Sequence, residues 1–117
     1  MRGEGGHMLQ AVLRLVAPPD KRDEILRVFS GMSGPTEVTK GCRRCRVLCD
    51  VNNDDAIIYW VQWDTREELE DHLRSERFRK LIPYIEMSLE PPEVEISQLD
   101  VIGGIEIVVS AIEARHS

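Results

Sequence analysis

The chain has 117 residues, of which 42% are hydrophobic and 31% charged, and a formal net charge of −6 at neutral pH. That is one globular domain with no room for a second independent core. Acids outnumber bases 21 to 15, which excludes a function resting on phosphate-backbone binding, since that draws on Lys and Arg to displace counterions.

The opening "MRGEGGHM" lacks the apolar centre of a secretory signal, and no apolar run approaches the ~18 to 20 residues of a bilayer span. Residues 1–7 read as a leader or expression remnant, 8–102 as the folded domain and 103–117 as a C-terminal extension. The expected location is the cytoplasm.

From Leu9 to Val16 apolar residues alternate as in a half-buried strand. "PPDKRDEILRVFSGMSG" follows with helix-start chemistry: two prolines, Asp20 as N-cap and acids in the first turn. Ile25, Val28, Phe29 and Met32 keep the helical spacing, and Gly31, Gly34 and Pro35 are expected to close the helix. "VTKGCRRCRVLCDV" reads as the second strand, "NNDD" as a hairpin turn and "AIIYWVQW" as the third strand. Near-continuous apolarity in that third strand predicts that both its faces are covered.

Thr65, three residues before Glu68, forms a capping-box signature for a short helix that carries Leu69, His72 and Leu73 along one side. Ser75 restarts the helix, with Phe78, Leu81, Ile82 and Ile85 on one face, and Pro83 breaks it near its middle. "PPEVEISQLDVI" is the fourth strand, entered through prolines that cannot sit inside a central ladder. After Gly103-Gly104 the tail fits either period, and its Ala and Glu content favours a helix. The order is β-α-β-β-α-β, the ferredoxin-like α+β arrangement with an antiparallel sheet. Both alternating sets of the third strand are largely nonpolar, so a monomer would expose a large apolar patch; a homodimer paired through its sheet faces is expected.

Cys42, Cys45 and Cys49 need a test for metal or redox chemistry. On a regular strand Cys42 and Cys45 point to opposite faces, and Cys45 and Cys49 lie about 13 Å apart, beyond disulfide reach. They read as small apolar residues in a reducing compartment. Arg43, Arg44 and Arg46 read as a solvated or ion-paired strand face.

The stretches "GCRRCRVLCD", "YWVQWDTREELEDHLRSERFRKL" and "EPPEVEISQL" together resemble the antibiotic biosynthesis monooxygenase domain family, over roughly Met8 to Leu99. The resemblance implies a dimeric α+β barrel, with cofactor-free oxidation of quinols or anthrones among the family's activities. The chain departs from the family's pattern in having Gln62 where many members carry Glu, Tyr59 where the best-understood oxygenases place an amide, and Cys45 where Tyr is common. It also lacks the axial histidine near Ile82 that the haem-degrading branch would need.

Tyr59 to Phe78 holds both tryptophans and the one internal histidine, in a chain with only 5% aromatics. A deprotonated quinol or anthrone reduces oxygen directly, so the protein need only bind a flat aromatic, take a proton and exclude water; neither metal nor flavin is required. His72 is the candidate base and Trp63 its catalytic partner. Trp63 with Trp60 or Phe78 would supply faces for stacking, and Tyr59 or Tyr84 a hydrogen bond to the phenolate. Each residue also has a packing role open to it: Trp63 and Phe78 in the core, Trp60 at a dimer contact, His72 as a cap on the helix break. Two alternatives stand beside the oxygenase. One is a non-catalytic dimer binding a small hydrophobic ligand; the other is an enzyme holding a phosphorylated ligand on the arginine strand.

Overall fold

The computed structural model describes residues 7–114. Strand β1 (His7–Val16) lies between β3 (Asn53–Trp63) and β4 (Glu93–Asp100), with β2 (Cys42–Asp50) beyond β3, in the order β2-β3-β1-β4. All neighbouring pairs are antiparallel. Helix α1 (Arg22–Glu37) links β1 to β2, and the short helices α2 (Arg66–Leu73), α3 (Glu76–Arg79) and α4 (Ile82–Ile85) link β3 to β4. The expected ferredoxin-like α+β fold is therefore present, followed by a terminal helix, α5 (Ile105–Ala114). The leader expected over residues 1–7 lies outside the described residues except for His7, which is already in β1 with its Nδ1 2.5 Å from Asp100 Oδ1.

Side-chain alternation places Leu13, Leu15, Ile57, Tyr59, Val61 and Trp63 on the face beneath the helices. There they bury against Ile25 and Phe29 of α1, Leu69 of α2 and Leu81. Each large apolar side chain so buried contributes about 1.5–3 kcal/mol. The opposite face carries Val12, Ile58, Trp60 and Gln62, all only half-buried. Within one chain only the helix side of β3 is covered; the sequence reading assigns the other face to a second copy. On that open face Trp60 Nε1 donates to Gln10 Oε1 (2.7 Å), and Gln62 Nε2 donates to the same oxygen (2.9 Å).

Several boundaries differ from the sequence reading. Asp20 is not the cap of α1: a turn closed by Lys21 N–H on the Pro18 carbonyl precedes the helix, and Lys21 occupies the cap position without a side-chain bond. Gly31, Gly34 and Pro35 do not end α1, which runs on to Glu37. Burial of Thr36 anchors the extra turn, and the Thr39 hydroxyl donates to the Pro35 carbonyl at 3.0 Å. The second strand starts at Cys42 rather than Val38. The hairpin turn is only Val51–Asn52, because Asn53, Asp54 and Asp55 already belong to β3.

A shift in register between Cys42 and Arg44 also breaks the alternation assumed for β2. The irregularity inserts a residue, so Cys45 lies in the core and Cys42 packs against it from the same side. The opposite-face argument for these two thiols therefore fails. Burial pushes Cys42 up to about 11 and raises Cys45 as well, so both are held as thiols. The arginines separate as an ion-paired set: Arg43 meets Asp64 (2.6 Å), Arg46 meets Glu37, and Arg44 lies 5.3 Å from the Trp60 ring centre.

Gly41, just before this irregularity, has φ +88°. A Cβ there would come within 2.2 Å of the Glu68 carboxyl group, which closes the cap of α2. Gly31, mid-helix, has nothing within 4 Å of such a Cβ. Urea unfolding should therefore show Gly41→Ala losing about 1–2 kcal/mol or more, while Gly31→Ala is neutral or gains up to about 1 kcal/mol.

Candidate functional site

The site is assembled where β3 ends and α2 begins. The Thr65 hydroxyl oxygen accepts from Glu68 N–H at 3.1 Å and fixes the start of α2. Leu69 and His72, three residues apart, then share the inward side of the helix and are both buried. Ser75 joins the two short helices: its hydroxyl donates to the His72 carbonyl (2.6 Å) and accepts from Phe78 N–H (3.1 Å). One serine thus sets His72 and Phe78 relative to each other.

The His72 ring sits among aromatic rings, 5.0 Å from Trp63 and 5.4 Å from Phe78 between ring centres. Its Nε2 shares a hydrogen bond with the Tyr59 hydroxyl at 3.0 Å. Tyr59 meets Phe29 edge-on at 5.7 Å. His72 is 5% exposed and Trp63 1%. Two buried polar atoms in this layer lack a hydrogen-bond partner among the described residues, Trp63 Nε1 and Thr36 Oγ1. The second lies near the Tyr59 hydroxyl, close enough to ease its ionisation but out of hydrogen-bond geometry.

Burial governs the protonation states. It raises the Tyr59 phenol, with Cys45 adding to the effect, so Tyr59 stays protonated. It pushes His72 down to about 4, with Arg77 contributing. The sequence reading placed His72 near neutral pH; desolvation instead keeps the imidazole uncharged there.

A cleft of about 440 Å³ opens over Trp63 and His72. Lys40, Arg77, Glu67 and Asp71 contribute to its lining. Of the expected site residues, His72 and Trp63 reach this cleft. Tyr59 and Phe78 join the ring cluster but stand behind His72 rather than on the cleft. Tyr84 is not part of the ring cluster; it packs at the margin of the core. Trp60 lies on the other face of the sheet. Trp63 is too buried to offer a free face for stacking. Lys40, Arg77 and Thr36 were not singled out from sequence, although Thr36 continues the Ile25–Phe29–Met32 stripe at helical spacing. Among the described residues no group of three His, Cys, Asp or Glu side chains converges as metal ligands.

The model of the antibiotic biosynthesis monooxygenase family matches residues 8–84, and the chain belongs to that family. No curated protein matches it. Among solved structures, Rv0793 from Mycobacterium tuberculosis is 19% identical with a TM-score of 0.73, over 82% of this chain and 99% of that one. A conserved protein from Methanosarcina mazei Go1 is 20% identical with a TM-score of 0.72, over 79% and 92%. A structure named antibiotic biosynthesis monooxygenase is 18% identical with a TM-score of 0.67, over 81% and 99%. At these identities the likeness concerns the fold.

A histidine lowered from 6.5 to about 4 links stability to acidity. The folded state binds this proton less readily than the unfolded chain. Stability from this source is complete above about pH 6.5 and is lost as pH falls toward 4, by on the order of 3 kcal/mol. In urea titrations between pH 7 and 4, His72→Phe should therefore lose less stability than the wild type.

Proposed function

We propose that the protein is a cofactor-independent monooxygenase that oxidises a quinol- or anthrone-like aromatic with molecular oxygen. The observation that carries this reading is an uncharged, hydrogen-bonded imidazole at the base of a cleft lined by Lys40 and Arg77 together with Glu67, Glu68 and Asp71. In the tautomer this reading uses, Nε2–H donates to the Tyr59 oxygen, and Nδ1 keeps the lone pair that accepts the substrate proton. Lys40 and Arg77 favour the resulting anion. That anion passes one electron to oxygen, the radical pair combines to a peroxide anion, which takes the proton back from His72 to give a hydroperoxide, and loss of water leaves the carbonyl product. One oxygen atom enters the substrate and the other leaves in water.

On the same reading, a second copy covers the open sheet face around Val12, Ile58 and Trp60, and the protein works in the cytoplasm, where its free thiols stay reduced. No helix among the described residues is long and apolar enough to cross a membrane.

A specific observation favours a second reading. Phe29, Tyr59, His72 and Phe78 fill the space between sheet and helices ring against ring, so a ligand sits on this layer rather than within it. A binding protein for a small hydrophobic molecule needs no more than that.

Oxygen uptake by metal-free protein with a panel of hydroquinones and anthrones separates the two. The oxygenase gives saturable uptake above the spontaneous rate, reduced about 10²-fold or more in His72→Ala. Its kcat/KM should hold as pH falls from 7 to 5, where an unshifted histidine would already be mostly protonated. Uptake unaffected by His72→Ala removes that residue from the mechanism. No uptake, with tryptophan fluorescence still responding to the aromatics, favours the binding protein.

A further inference from the structure

Thr36 lies on the apolar stripe of α1, two turns beyond Phe29, and is fully buried. Residues at that spacing share one side of a helix, and Phe29 meets the Tyr59 ring edge-on. The end of α1 is tied to the same layer from a second direction, since the Cys45 N–H donates to Glu37 Oε2 at 3.4 Å. The Thr36 hydroxyl thereby comes to lie beside that of Tyr59, whose ionisation it eases.

Valine has the same shape and would fill this place without a polar atom. A helical threonine hydroxyl commonly donates to a carbonyl three or four residues back, yet Thr36 Oγ1 has no partner among the described residues. Buried polar groups left in that state are rare in folded proteins.

The protons of the neighbouring pair give this hydroxyl a role. Tyr59 Oη and His72 Nε2 are 3.0 Å apart, and both groups are uncharged, so one proton lies between them. If the tyrosine hydroxyl donates to Nε2, the imidazole proton sits on Nδ1. If Nε2–H donates to Oη instead, Nδ1 keeps its lone pair. The second arrangement frees the tyrosine proton, which then needs an acceptor of its own. Thr36 Oγ1 is the oxygen beside it. Cys45 Sγ is the other neighbour, and a thiol sulfur accepts only weakly.

We propose that Thr36 is a positioning residue: its Oγ1 accepts the Tyr59 proton, Oη accepts from His72 Nε2–H, and the imidazole is held in the tautomer whose Nδ1 carries the lone pair. The use of that lone pair as a base rests on the oxygenase reading; the chain of hydrogen bonds does not. A small reorientation of the threonine hydroxyl closes the chain and gives all three buried groups a partner, and successive bonds of this kind strengthen one another. Without Thr36 the tyrosine hydroxyl turns to Nε2. The imidazole proton then moves to Nδ1, where it blocks proton acceptance. Thr36 itself touches no substrate.

Long-range proton–nitrogen correlation spectra of the labelled full chain at neutral pH read the tautomer directly, with the His72 signals assigned by their absence from His72→Phe. The wild type is expected to show a protonated Nε2 and a bare Nδ1. Thr36→Val should invert that pattern, while Thr36→Ser and Cys45→Ala should keep it. With the anthrone dithranol as the oxygen-uptake probe, Thr36→Val should lower kcat about ten-fold or more, with KM changed less than about two-fold. Thr36→Ser should restore it. A wild type protonated at Nδ1, an unchanged tautomer in Thr36→Val, or inversion in Cys45→Ala would each overturn the proposal. Inversion in Thr36→Val without dithranol oxidation by any form would fail the oxygenase reading alone, and would leave Thr36 as the residue that sets the tautomer.

Discussion

The hydrogen bond between Tyr59 and His72 is where a strand and a helix agree on one arrangement. Both groups are buried, and neither has an ion to pair with, so each is uncharged at neutral pH. Breaking their contact would leave polar atoms in an apolar layer, at a cost of about 1–3 kcal/mol for each unsatisfied group. This constraint sets the rotation of α2 about its axis. It thereby directs Leu69 into the core, brings the His72 ring against Trp63, and leaves Glu67 and Asp71 on the cleft. The Ser75 bridge then transmits the same orientation to α3 and Phe78.

Much of the fold was legible in the sequence because its signals are local. Alternation in residues 9–16, the Thr65–Glu68 cap, the Ser75 restart and the Pro83 break all correspond to features of the structure. The errors arose where tertiary contacts override local preference. Helix α1 continues through Pro35 because the next turn buries Thr36, a polar residue on the apolar stripe. Strict alternation failed in β2 because one extra residue near Gly41 shifts the register, which no periodicity reveals. In the site, the clustering of rare aromatics pointed to the right place, and Trp63 and His72 do meet. Their depth could not be read, since it depends on how closely α1, α2 and the sheet approach. Lys40 and Arg77 come to the cleft from a loop and from α3, and nothing in their spacing links them to His72.

The two edges of the sheet are treated differently. At β2 the register shift and the ion pairs of Arg43 and Arg46 disrupt a regular edge and surround it with charge, a common way of discouraging strand addition. At β4 charge is confined to Glu93, Glu95 and Asp100, while Val94 and Ile96, on the side toward the helices, are left exposed. The two edges thus differ in which side chains they leave exposed.

The low basicity of His72 bears on what it can do with a ligand. A value near 4 describes an imidazole held in an apolar layer, lowered by burial and by Arg77. Proton transfer from a bound quinol would create imidazolium and phenolate together, and an opposite charge at contact distance raises the affinity of imidazole for the proton. The low local dielectric that penalises the lone charge also strengthens that attraction. Arg77 acts in both directions: it disfavours imidazolium in the free site and favours the anion once one is present. A site of this kind holds its base uncharged until the acid arrives, and ties deprotonation to the seating of a ligand that can share the charge.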